Sequence, residues 1–176
     1  MVDGADRRLR SGERILGIDP GLKVTGYACL EVARPGPRVI EAGIIDTSES
    51  KTKALATRIA YLYDSIVELV DQLAPGIIVV EQLYAHYQHP RTAILMAHAR
   101  GVIFLAAAKA GLPVVSYNAT RIKKTVTGNG RAPKDQVQRT VQRELGLDHL
   151  PSPTDVADAL AAALCHYHAQ VLPEHS

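Results

Sequence analysis

Two short apolar runs, each ending on a carboxylate, constrain this chain more than any other feature. Ile15–Ile18 ends at Asp19, and Ile77–Val80 ends at Glu81. Both runs are too short and too apolar for helices and read as strands. Ile77–Val80, apolar at every position, reads as a strand buried on both faces in the middle of a sheet. In an open α/β sheet, ligands bind beyond the carboxyl ends of parallel strands. Two acids at two such ends can therefore meet at one edge of the sheet. Asp19 has a second reading, since Asp before Pro20 and Gly21 is also a common turn residue.

The other elements follow from periodicity and turn chemistry. Arg14–Asp19, Val24–Val32 and Val39–Asp46 are separated by an Asp-Pro-Gly turn and by Arg34-Pro-Gly-Pro, and form an antiparallel meander. Leu55, Ile59, Leu62, Ile66, Leu69 and Leu73 recur at helical spacing, and Pro75-Gly76 stops that helix. An Ala-rich helix spans Pro90–Ala110 with Gly111 as its C-cap, and Pro113–Tyr117 is the last strand. A basic helix–loop–helix follows, turning at Gly128-Asn129-Gly130, with Pro133 starting its second helix. The final helix covers Pro151–Gln170. Three antiparallel strands followed by strands alternating with helices predict an α/β fold, a mixed sheet with helices on both faces.

A length of 176 residues suits one domain, expected over residues 14–170, with flexible tails at 1–13 and 171–176. The 47% hydrophobic content excludes a disordered chain. Cys29 and Cys165 have no CxxC spacing and read as free thiols in a reducing compartment. No apolar run approaches the roughly 18 residues of a membrane span. The polar start, MVDGADRRLRSGER, lacks the apolar core of a signal peptide, so the expected location is the cytoplasm and no membrane partner is expected.

The last helix supplies two more acids. Ser152, Pro153 and Asp155 read as a capping box, which would give Asp155 a structural role; Asp158 lies a turn further on the same face, beyond that role. Four converging carboxylates repel each other unless cations sit between them. Hard divalent ions answer that need, and two of them can clamp both oxygens of a phosphodiester in displacement. Net charge is only +2, yet residues 121–143 carry seven Lys or Arg against one Asp. Concentrated positive charge fits a polyanion. Within it Lys123, Lys124, Arg131 and Lys134 are candidate DNA contacts. A solvated helix face would look the same. Tyr84 is the candidate ring for stacking on an unpaired base, or else packs at the sheet edge. His86 and His89, on a loop beside Glu81, are candidates to touch DNA, and His166, which can share the Asp158 face two turns on, is a weaker candidate for metal; a surface or packing role outweighs these readings for every histidine.

GIDPG (17–21), VTGY (24–27), VVEQLY (79–84), AHARGV (97–102), IKKTVTGNG (122–130), KDQVQ (134–138) and DVADALAAALCH (155–166) together resemble the RuvC family of Holliday-junction resolvases. The motifs run in order over nearly the whole chain. The resemblance implies a ribonuclease-H-like fold and a homodimer that resolves four-way DNA junctions by paired incisions. It implies Asp19, Glu81, Asp155 and Asp158 as catalytic metal ligands, holding two Mg²⁺ per site with Mn²⁺ able to substitute. It also implies an aromatic at Tyr84 near the junction point, DNA-contacting lysines at Lys123 and Lys134, and delivery of the junction by RuvA and RuvB. The chain departs from the family in its longer N-terminal lead, in the His-rich stretch HYQHPRTA, and in Tyr84 where Phe is commoner. An ATPase of the actin fold would need two such halves and more chain than this. A noncatalytic junction- or RNA-binding module of the same fold would not need four intact acids.

Overall fold

The computed structural model describes residues 8–49, 54–82 and 90–171. Three strands, β1 (Arg14–Asp19), β2 (Val24–Glu31) and β3 (Arg38–Asp46), form the expected antiparallel meander. After helix α1 (Leu55–Leu73) the chain enters β4 (Ile77–Glu81), then α2 (Pro90–Lys109) and β5 (Val114–Tyr117). The basic segment forms α3 (Ala119–Thr127) and α4 (Lys134–Leu145), and α5 (Thr154–Val171) ends the described chain. The sheet order is β3-β2-β1-β4-β5, with β1–β4 and β4–β5 parallel. The first strand in sequence is thus the central one.

Strand alternation divides the interior into two cores. Leu16, Ile18, Ile78 and Val80 face α1 and α2, packing on Leu62, Ile66, Val102 and Ile103. Ile15, Ile77 and Val79 face the other side, where Ile122, Val126, Val137, Val141, Leu160 and Leu164 from α3, α4 and α5 cover them. Both cysteines are buried free thiols.

Helix α5 lies against β1 and β2 at backbone contact distance. A Cβ at Gly17 would overlap the Ala159 carbonyl oxygen and come within 2.9 Å of the Ala163 Cβ. A Cβ at Gly26 would overlap the Asp155 carbonyl. Ala157, Ala159, Ala161, Ala162 and Ala163 give α5 the small side chains such an approach requires.

Three local expectations need correction. Helix α5 begins at Thr154, so Ser152 lies outside it and is not its N-cap; Asp155 sits in the first turn without the capping box. Helix α1 is closed by Ala74 in the left-handed conformation (φ 44°), one residue before Pro75-Gly76. Thr92–Lys109 of α2 is long and apolar enough, by length and composition, to cross a membrane, contrary to the expectation that no segment approaches that length. Its composition reflects two apolar faces. Val102, Ile103, Ala106 and Ala107 enter the core, while Ile94, Leu95, Phe104 and Leu105 face outward. In the N-terminal segment the Gly12 N–H donates to Val32 O, Val32 N–H donates to Glu13 O, and Leu9 packs against the α5-side core.

Gly17→Ala should lower stability by about 3 kcal/mol or more, because neither the Ala159 carbonyl nor the backbone at Ala163 can yield without lifting α5 off the sheet. Urea unfolding measures it; a loss below about 1 kcal/mol would mean that α5 does not depend on this contact.

Candidate active site

The pairing of β1 with β4 sets Gly17 beside Val79 and Ile18 beside Val80. One further step along that register brings Asp19 beside Glu81, at the same end of both strands and one interstrand spacing apart (about 4.8 Å). Side chains alternate along a strand, so Asp19 shares a face with Ile15 and Gly17, and Glu81 with Ile77 and Val79. That is the α5 face. Asp19 is also paired across the sheet with Gly26, the residue over which the Asp155 backbone sits. The glycine contacts thus place the first turn of α5, with Asp155, over β2 beside Asp19, and Asp158 follows one turn further along the same helix face.

The turn after Asp19 is held from two sides. Thr25 Oγ1 donates to Gly21 O at 2.6 Å. Thr47 Oγ1 donates to Leu22 O, which also accepts from Arg58 Nη2 at 2.9 Å. The end of β4 is held by Arg100 of α2, whose guanidinium donates to Glu81 O and to Ser116 Oγ at 3.2 Å and lies 4.9 Å from the Phe104 ring centroid. Sequence reasoning passes over Thr25, Thr47, Arg58 and Arg100 as positioning residues. The only signals for them are the Thr in VTGY and the Arg in AHARGV, and neither names its partner.

The electrostatics show four acids in one field. Burial, then Asp158, Glu81 and Asp155 in that order, push the Asp19 carboxyl up to about 7. Burial and then Asp158 also raise Glu81. Lys134 opposes both shifts and Lys123 opposes that of Glu81. Lys134 Nζ lies 3.2 Å from Asp158 Oδ2. Among the described residues no three His, Cys, Asp or Glu donors already converge on one ion position. Hard divalent cations take oxygen ligands of the kind these four acids carry. The donor set, all hard oxygens with excess negative charge, fits such ions.

The other candidates divide. Lys123 and Lys134 border the acids, whereas Lys124 is exposed on α3 and Arg131 in the turn between α3 and α4. Tyr84, His86 and His89 lie outside the described residues. His166 is a core residue: its Nδ1 is 2.9 Å from Tyr117 Oη, and burial lowers its pKa to about 4. His168 pairs with Glu144 and ties α5 to α4. Neither histidine belongs to the acid cluster.

A raised carboxyl pKa makes stability depend on pH with a definite sign. Folded Asp19 keeps its proton up to about 7, while the unfolded chain loses it near 3.8. Between those values the folded state binds more protons, so stability falls as pH rises, and the loss is complete above about 7. His166 acts oppositely, its contribution growing between about 4 and 6.5. Comparison with Asp19→Asn isolates the acid. In chelator, Asp19→Asn should gain on wild type across pH 4–7, reaching a melting temperature at least about 2–4 °C higher at pH 7.5. A constant difference across that range would remove the raised Asp19 pKa.

The sequence model described as crossover junction endodeoxyribonuclease RuvC matches residues 15–166. A protein of that description from Rhodopirellula baltica is 52% identical over 160 residues, covering 89% of this chain and 88% of its own length. One from Moorella thermoacetica is 45% identical over 152 residues, covering 86% and 89%. The structure of T. thermophilus RuvC in complex with a Holliday junction substrate superposes with a TM-score of 0.82 at 29% identity, covering 90% of this chain and 95% of that one. The fold is therefore ribonuclease-H-like, and the chain belongs to the RuvC family of crossover junction endodeoxyribonucleases.

Proposed function

We propose that this nuclease resolves four-way DNA junctions in recombination and repair, through paired incisions made by the two subunits of a homodimer. The observation that carries the catalytic reading is the meeting of Asp19, Glu81, Asp155 and Asp158 at one sheet edge, with Asp19 pushed up to about 7 by burial and its acidic neighbours. Asp19 and Glu81 would hold Mg²⁺ from the strand ends, and Asp155 and Asp158 from α5. Two ions per site, with Mn²⁺ as a substitute, fit the charge of the four ligands. When bound, such ions stabilise the attacking and leaving oxygens of the phosphodiester. The chain's own part is to fix those carboxylates and to seat the DNA.

Lys123, at the edge of the acids, is placed to take a phosphate of the cut strand. Lys124 and Arg131, exposed on the same basic face, would track a junction arm. Tyr84 would stack at the junction point. In this reading the nuclease domain is one unit that includes the 9–13 lead, which is bonded to Val32 and packed on the α5-side core and is not the flexible tail expected of residues 1–13. The T. thermophilus relative has been captured with a Holliday junction, and that substrate is carried to this chain on 29% identity over 90% of its length. Delivery by RuvA and RuvB, in the cytoplasm, is part of this reading, and family membership supports it.

Asp19→Asn, Glu81→Gln and Asp158→Asn should each cut a synthetic four-way junction at least about 100-fold more slowly while binding it as well as wild type does. Loss of a carboxylate removes a ligand but also removes repulsion of phosphate. A variant that cuts near the wild-type rate excludes that residue from the site.

The dimer is assigned to the outer face of α2. Ile94 is 57% and Leu105 52% exposed in the single chain, and Gly101 between them has open space above it. A second copy would cover this stripe, and two-fold symmetry would point two sites at a substrate that is itself nearly two-fold. Leu105→Glu should shift sedimentation from dimer to monomer and convert the product of a cruciform plasmid from linear to nicked circle. A wild-type monomer, or a Leu105→Glu dimer that still linearises the plasmid, would overturn this interface.

A further inference from the structure

Lys134 is the first residue of α4, where the positive end of the helix dipole disfavours a cation. Asp135 is the acid of its own first turn, yet the ammonium reaches across to Asp158 on α5. It donates to Asp158 Oδ2 at 3.2 Å, with the lysine side chain 68% exposed and the aspartate 27%. One oxygen of the Asp158 carboxylate is thus already engaged, and its charge offset, by a cation of the same chain. The long exposed stem leaves that cation free to swing, and the basic face around it is where a phosphate would receive it.

We propose that Lys134 is an exchangeable counter-ion: it neutralises Asp158 until metal and substrate arrive, and must release that carboxylate before Asp158 can act as a ligand. This rests on the metal reading above and adds regulation to it. Linkage then runs both ways. A phosphate that draws Lys134 away frees Asp158, so DNA binding raises metal affinity, and metal binding raises the affinity of Lys134 for phosphate by the same factor. A site loaded only beside a substrate phosphate is a site guarded against hydrolysing DNA it has not seated.

Calorimetric titration of Ca²⁺ into chelator-treated full-length protein, without DNA, tests this apart from activity. Lys134→Ala, and Lys134→Met to keep the stem, should bind Ca²⁺ roughly fivefold or more tightly than wild type. Lys123→Ala serves as the control for removing one positive charge from the same field without touching Asp158, and should tighten binding less. Unfolding midpoints in chelator check that each variant is folded. Equal Ca²⁺ affinity in wild type and both Lys134 variants, or a gain no larger than that of Lys123→Ala, overturns the counter-ion role while leaving the metal site standing. Wild type and both Lys134 variants that alike take up no Ca²⁺ and no Mn²⁺ overturn both.

Discussion

The site depends on how closely α5 can approach the sheet. Gly17 and Gly26 have no side chains, and the carbonyls of Ala159 and Asp155 occupy the space that a Cβ would fill. Helix and sheet packed through ordinary side chains sit roughly 10 Å apart, on the scale of other packed layers. At that distance, carboxylates on α5 and at the strand ends could not share a pair of small ions. Glycine contact lowers the helix until its first turn stands over Gly26, beside the end of β1. The two glycines serve different ends. Gly17 seats the middle of the helix, and Gly26 seats the turn that carries Asp155 beside the strand position of Asp19.

That closeness has an electrostatic cost. Burial and mutual repulsion hold the proton on Asp19 up to about 7 and raise Glu81 as well. The fold tolerates the strain because the surrounding structure fixes each acid independently. β1 is the central strand, β4 is apolar at every position before Glu81, and the turn after Asp19 is bonded through Thr25, Thr47 and Arg58. The main chain that carries Asp19 is thus held at both the strand and the turn that follows it. Functional sites commonly hold such unfavourable arrangements at the expense of stability elsewhere.

Much of this is legible in the sequence, for reasons that differ by residue. Asp19 and Glu81 stand out because each interrupts an apolar strand at its end, and alternation then puts both on one face without further information. Asp158 stands out because no capping role explains it. Asp155 is harder: its position after Ser152-Pro-Thr imitates a capping box, and only the helix start at Thr154 dissolves the imitation. The role of Gly26 is hidden, since a glycine in a strand signals close approach without saying of what. The two apolar faces of α2 blur its periodicity, so its small and large residues alike look like core, and only the folded chain separates Ile103 from Leu105. Arg58 and Arg100 are invisible for a simpler reason. Each donates to a backbone carbonyl, a group that every residue has, and to a small hydroxyl that nothing in the sequence marks.

Arg100 joins two parts of the molecule that the sequence keeps apart. It stands on α2 one turn before Phe104, whose ring lies under its guanidinium, and it holds the Glu81 carbonyl where β4 ends. Its other bond, to Ser116, reaches the neighbouring strand β5. Helix α2 is therefore fastened to the sheet at the level of the acids as well as through the core below. Its outer face, with Ile94, Leu95 and Leu105, is the face assigned to a second subunit. A subunit seated there would press on the same helix that fixes the main chain of Glu81. The spacing between two active sites in a dimer would then follow from one rigid element per subunit, from Glu81 through Arg100 and α2 to the two-fold axis, with no loop in the path. A pair of symmetric cuts needs a fixed distance between sites, and a helix bonded at its active-site end provides one.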